Sequence, residues 1–191
     1  MVFMMKKPVT LLLGMFVFSH CASTQYADSR KDTGSRQWGA REINETVDTM
    51  VASLYSSLKD MKHNVLISVS KIRNRTSEHI DTTMIADEIS TRLIKRGIPF
   101  IDKSQRTETL KEIEFGQTGA ADSENAISAG QLKSPNYELI GEVTDSVSYE
   151  GNNRKQFIIV TLKLIEVETT SVVWQERQEF MKVSKEEKYG W

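Results

Sequence analysis

Residues 156–168, QFIIVTLKLIEVE, constrain this chain more than any other stretch. Ile158, Ile159 and Val160 are adjacent, so apolar side chains point to both sides of an extended segment. A strand that is apolar on both faces at its centre belongs in the middle of a sheet, with neighbours on either side. The flanking sequence supplies those neighbours. Residues 137–149, YELIGEVTDSVSY, alternate, and a Gly151-Asn152-Asn153 turn joins them to the central run. Residues 172–180, VVWQERQEF, follow a Thr169-Thr170-Ser171 connection. The last third of the chain therefore reads as three strands in succession.

Upstream, helices alternate with strands. After Trp38, the residues Ile43, Val47, Met50, Val51, Leu54, Tyr55 and Leu58 recur at steps of three and four, the spacing of an amphipathic helix. Residues 64–72, NVLISVSKI, are short and β-branched and predict a strand. The next helix is fully punctuated: Asp81 as N-cap, Ile85, Ile89 and Leu93 as one stripe, Lys95 and Arg96 in the last turn, Gly97 as the stop and Pro99 beyond. Residues 98–102, IPFID, predict a short strand. Residues 103–114 predict a helix with Leu110 and Ile113 as its apolar contacts, and a short helix is expected around 126–132, capped by Asp122 or Ser123. This order predicts an α/β fold: a small single-domain sandwich with a mixed β-sheet flanked by helices, ending in a β-meander.

The N-terminus carries a different signal. Lys6 and Lys7 precede about ten apolar residues, half of what a helix needs to cross a bilayer. A basic start, a short apolar centre and then small or polar residues is the layout of a secretory signal. Directly after it stands Cys21, the single cysteine of the chain. In a lipoprotein signal a cysteine at this place receives a diacylglyceryl group and becomes the new N-terminus. Ser19 fits that pattern and His20 departs from it. Several acyl chains, at ~0.8 kcal/mol per buried methylene, would hold the protein on a membrane. The acylated chain would have no thiol left for a disulfide or a metal. Ala22, where Asp is the inner-membrane retention signal, favours the outer membrane. Residues 22–37 are small and polar and read as a flexible tether, at most ~55 Å long when fully extended.

Charge and motif exclude several functions. The 25 basic and 26 acidic residues are intermixed and leave a formal net charge of -1, so there is no basic field for nucleic acid. Beyond the signal the histidines are His63 and His79, in no His-rich or Cys-rich cluster, so neither a metal site nor a cofactor is expected. Residues 116–124, GQTGAADSE, lack the Gly-Lys-Ser/Thr ending of a phosphate loop, and no Gly-x-Ser-x-Gly elbow is present. Acidic residues on helices, such as Asp87 and Glu88 beside Arg92, read as a solvated face. No catalytic residue emerges, and the chain is not expected to be an enzyme. Asn74, Arg75 and Thr76, between the first strand and its following helix, read first as turn chemistry, with Thr76 or Ser77 as local caps. Loops at this end of a strand commonly carry function, which makes the same three residues a candidate partner surface. Trp38 and Trp174 border apolar runs and are expected to pack, and Trp191 ends a charged tail.

Trp38 before an amphipathic helix, Asn74-Arg75-Thr76 after the first strand, and the helix ending LIKRG resemble the LpoB family of lipoprotein activators. So do residues 125–143, NAISAGQLKSPNYELIGEV, and residues 162–175, LKLIEVETTSVVWQ. The resemblance runs from about Trp38 to Phe180. It implies an outer-membrane lipoprotein, anchored at Cys21 and facing the periplasm, that binds a class A penicillin-binding protein and stimulates its glycan polymerisation and crosslinking. The implied division is a signal at 1–20, a tether at 21–37, an LpoB-like α/β domain at 38–182 and a charged tail at 183–191. Two features depart from the family: Thr169-Thr170-Ser171 stands where a Thr-Gly turn is usual, and the tether is short and free of proline. A CsgG-like envelope secretion or assembly lipoprotein and a structural periplasmic module that binds the wall are the rival readings. For a channel, residues 157–165 are too apolar on both faces, since lipid-facing and lumen-facing residues must alternate.

Overall fold

The computed structural model describes residues 27–31, 34–61, 64–120, 124, 127 and 130–185. Cys21, His63, Trp191 and residues 126, 128 and 129 of the helix expected at 126–132 lie outside the described residues. Three helices, α1 (Ala40–Lys59), α2 (Thr82–Ile94) and α3 (Arg106–Gln117), accompany five strands: β1 (Ile67–Val69), β2 (Arg73–Arg75), β3 (Tyr137–Glu150), β4 (Asn153–Glu166) and β5 (Val172–Lys185). The sheet order is β1-β3-β4-β5, with β2 also paired to β3. β1 and β2 run parallel to β3, whereas β3, β4 and β5 are successive antiparallel neighbours. The result is a mixed α/β sheet closed by a meander, with β4 between β3 and β5.

One face of that sheet makes the core. Ile158, Val160, Leu162 and Leu164 of β4 are fully buried, in one cluster with Leu139 and Val143 of β3. Val47, Met50, Val51, Leu54 and Leu58 of α1 and Ile85, Ile89 and Leu93 of α2 join the same cluster. Each such side chain contributes about 1.5–3 kcal/mol on leaving water. Phe157, Ile159, Thr161, Lys163 and Ile165, on the other face of β4, are half-buried. Gly141 of β3 is required by close approach: a Cβ there would overlap Leu162 Cδ2 and come within 3.1 Å of the Thr161 carbonyl oxygen.

Local chemistry fixes the helices. The Asp81 carboxylate accepts a hydrogen bond from the Thr83 amide at 3.0 Å, and Gly97 stops the helical run at φ +83°. At the start of α1, Glu42 accepts from the Gly39 amide at 2.9 Å and pairs with Lys182 of β5 at 2.8 Å. Trp174 donates its indole N–H to Ser53 of α1 (3.1 Å), and Trp38 meets Phe180 edge-on at 5.7 Å. Both tryptophans are packing residues.

Several expectations need correction. The single strand expected at 64–72 is two short ones. Ile72 between them is buried, and its carbonyl accepts from the Thr82 hydroxyl at 2.7 Å. Residues 98–102 supply one parallel bridge, Ile67 to Phe100, rather than a strand. Pro99 has no N–H to extend a ladder, and Asp102 turns the chain into the 3-10 turn Lys103–Gln105 by accepting from the Ser104 amide at 2.8 Å. In α3, Ile113 is buried but Leu110 is exposed. Gln131 and Leu132 are exposed and belong to no helix. β5 continues to Lys185, into the stretch expected as tail. Thr170 adopts φ +58° at the β4–β5 turn, where a glycine would carry no Cβ penalty. Among the described residues no helix is long and apolar enough to cross a membrane.

Candidate interaction surface

Asn74, Arg75 and Thr76 end β2 and open the turn that leads to α2. Asn74 knots the turn: its amide nitrogen donates to the Glu78 carbonyl at 2.9 Å, and its amide oxygen accepts from the Thr76 backbone N–H at 3.0 Å. The Thr76 hydroxyl lies 2.7 Å from Asn74 Oδ1 and 2.9 Å from the Glu78 carbonyl. The turn chemistry read from Asn74 and Thr76 is therefore present. β2 pairs Arg73, Asn74 and Arg75 with Glu142, Val143 and Thr144 of β3. Arg73 and Arg75 converge on the one carboxylate of Glu142, at 3.4 and 3.8 Å, and their side chains are 68% and 67% exposed. Ion pairs this exposed contribute little to stability. Their guanidinium groups are presented to solvent on a backbone that is held in place.

What holds it is a network that sequence reasoning missed. Arg154 of β4 donates to Gln156 at 2.9 Å and to Glu78 at 3.1 Å. Gln156 donates to Asp145 at 2.8 Å, and Asp145 accepts from the Ser77 amide at 3.0 Å and from its hydroxyl at 2.6 Å. Arg154 and Gln156 are buried. A signal existed in the sequence, because both occupy even positions of the run whose later even positions are Ile158, Val160, Leu162 and Leu164. Polar residues on the covered face of a strand must find partners. The loop carrying Asn74, Arg75 and Thr76 is thereby bonded to the turn-proximal half of the β3–β4 hairpin.

Partial burial pushes the Asp145 carboxyl up, but the hydrogen bonds from Ser77 and Gln156 and the charge of Arg154 outweigh it and hold it below the ordinary value of 3.8. A carboxyl depressed in the folded chain stabilises it fully above the unfolded value and loses that contribution as pH falls through the folded value. Asp145→Asn is therefore expected to lower stability at pH 6 and to flatten the loss of stability between about pH 4 and 2, read from urea midpoints across that range.

His79 is exposed beside Glu78, and no group of three or more His, Cys, Asp or Glu side chains among the described residues could hold a metal ion. Cys21 lies outside the described residues.

No curated protein sequence matches the chain. Among solved structures, the LpoB C-terminal domain from Salmonella enterica is similar at 12% identity with a TM-score of 0.45, over 73% of this chain and 98% of that one. The corresponding Escherichia coli domain gives 12%, a TM-score of 0.43, and the same coverage. Lipoprotein GNA1162 from Neisseria meningitidis gives 14% and 0.38, over 65% of this chain and 88% of that one. The family described as peptidoglycan-synthase activator LpoB matches residues 41–180, which run from the first turn of α1 well into β5. By that match, the chain belongs to the LpoB family of peptidoglycan-synthase activators.

Proposed function

We propose that this chain is an outer-membrane lipoprotein, anchored through Cys21 and facing the periplasm, that binds a class A penicillin-binding protein and activates it without doing chemistry itself. The observation that carries this reading is the family match over residues 41–180. Activation of this kind is a difference in affinity: the domain stabilises the active conformation of the synthase by as much as it binds that state better than the inactive one. The anchor confines the domain near its partner and raises its effective concentration there.

We place the contact at Asn74, Arg75 and Thr76. Arg75 is exposed, carries a charge that Glu142 shares with Arg73, and sits on a turn fixed by the Asn74 bonds, so docking it costs little ordering entropy. The test adds the protein to its cognate synthase in a glycan-polymerisation assay. A saturable, dose-dependent rate increase is expected. Arg75→Ala should raise the half-saturating concentration about tenfold, as loss of an interfacial arginine does, with the domain's melting temperature unchanged. No stimulation and no binding by the unaltered chain would refute the activator reading. Full stimulation by Arg75→Ala would move the contact elsewhere on the domain.

A further inference from the structure

We propose that the cleft between α2, the end of β1 and residues 100–104 is a binding site for a short peptide or amino acid that carries both a free ammonium and a free carboxylate. The inference does not rest on synthase activation and uses none of the residues assigned to that contact.

The cleft measures about 670 Å³, within the range of small-ligand sites. Its position follows from the topology. β1 and Phe100 run parallel and share one bridge at Ile67. Past that bridge the two segments part, one continuing through residues 70–72 toward β2, the other through 101–104 into the 3-10 turn. The opening thus lies at the carboxyl ends of adjacent parallel segments, where open α/β sheets hold their ligands. Val69, Ile72, Ile94 and Phe100 give it apolar surface, and Ser70, Thr83, Ser90 and Ser104 contribute hydroxyl groups.

The charges decide the ligand. Four line the cleft: Lys71, Asp87, Asp102 and Lys103. Lys103 is paired with Glu138 at 2.5 Å, whereas Asp102 accepts from the Ser104 amide through one oxygen and keeps its negative charge without a cation among the described residues. The Lys71 ammonium and the Asp87 carboxylate have neither an ion pair nor a side-chain hydrogen bond among the described residues. Lys71 stands on the β1–β2 connection and Asp87 on α2, so opposite walls present a cation and an anion without partners, and Asp102 adds a second anion at the entry to the 3-10 turn. A polyanion such as a phosphate ester would meet Asp87 unfavourably, and an uncharged ligand would leave both groups unused. A zwitterion satisfies both, its ammonium on Asp87 and its carboxylate on Lys71, with an aliphatic side chain against Ile94 and Phe100.

The test uses the full chain in detergent micelles, labelled with 15N. It is titrated with the tripeptide Ala-Leu-Ala in four forms: both termini free, N-acetylated, C-amidated, and blocked at both ends. The free tripeptide is expected to give saturable shifts at the amides of Ser70, Lys71, Asp87 and Ser104. Blocking either end should weaken binding about tenfold, the loss of one charge-assisted contact. Asp87→Asn should abolish the distinction between the amine and its acetylated form but keep that between acid and amide, and Lys71→Gln should do the reverse. Both side chains are exposed, so these variants are expected to fold. Absence of saturation up to about 20 mM, where even a millimolar site fills, would overturn the proposal. So would shifts that map outside the cleft, or equal affinity for the free and doubly blocked forms.

Discussion

Leu162→Ala is expected to lower the unfolding free energy by about 3–4 kcal/mol, and Gly141→Ala placed in that background should restore about 1 kcal/mol of it. Leu162 is fully buried at the centre of β4, so shortening it removes transfer energy and leaves a void that its neighbours fill only in part. In the unaltered chain Gly141→Ala is itself destabilising by about 1–3 kcal/mol, because its methyl would overlap Leu162 Cδ2 with Ile72 Cγ1 only 3.4 Å away. Once Leu162 is shortened, the same methyl enters the space it vacated. The two changes therefore differ in sign according to background. Urea denaturation of the two single variants and the double variant measures this directly. A double variant as unstable as the sum of its parts would show that the methyl finds the Thr161 carbonyl, not the void, to be the limiting contact.

Arg154→Met is the second large effect, expected at about 3 kcal/mol. Methionine keeps most of the length but leaves the Glu78 carboxylate, whose side chain is 18% exposed, without its cation, and the Gln156 carbonyl without its donor. Glu78 Oε2 already has no partner, so the loss falls on a carboxylate with nothing held in reserve. Removing the second charge as well, in Arg154→Met with Glu78→Leu, should cost less than Arg154→Met alone, because an apolar pair leaves no buried charge behind. Thermal unfolding of the single and double variants separates the two cases. Equal destabilisation would mean that the network matters for its hydrogen bonds to Gln156 and not for the ion pair.

What could be read from the sequence divides along physical lines. α2 was legible because its signals are local: a capping Asp81, a stripe at helical spacing and a Gly97 stop all act within a few residues of one another. The meander was legible because β3, β4 and β5 are consecutive, and β4 announced its central place through Ile158, Ile159 and Val160. The break between β1 and β2 was not legible. It depends on Thr82, ten residues further along, taking the carbonyl of Ile72. The exposure of Leu110 was likewise hidden, since spacing shows that Leu110 and Ile113 share a side of the helix but not how far the covered strip extends. Of the candidate surface, the turn bonds of Asn74 and Thr76 were readable from residue type. The clamp through Ser77, Asp145, Gln156 and Arg154 joins segments far apart in the chain, and only the parity of Arg154 and Gln156 hinted at it.

The pairing of β2 with β3 has a kinetic consequence. Each hairpin of the meander closes a short loop, so β3, β4 and β5 can zip together without outside help. β2 must instead find β3 across the whole intervening span of α2 and α3, and it gains only three residue pairs when it arrives. The ledge that presents Arg75 is thus among the last parts of the sheet to form. Its hold on β3 therefore rests on the side-chain clamp below it more than on its own ladder.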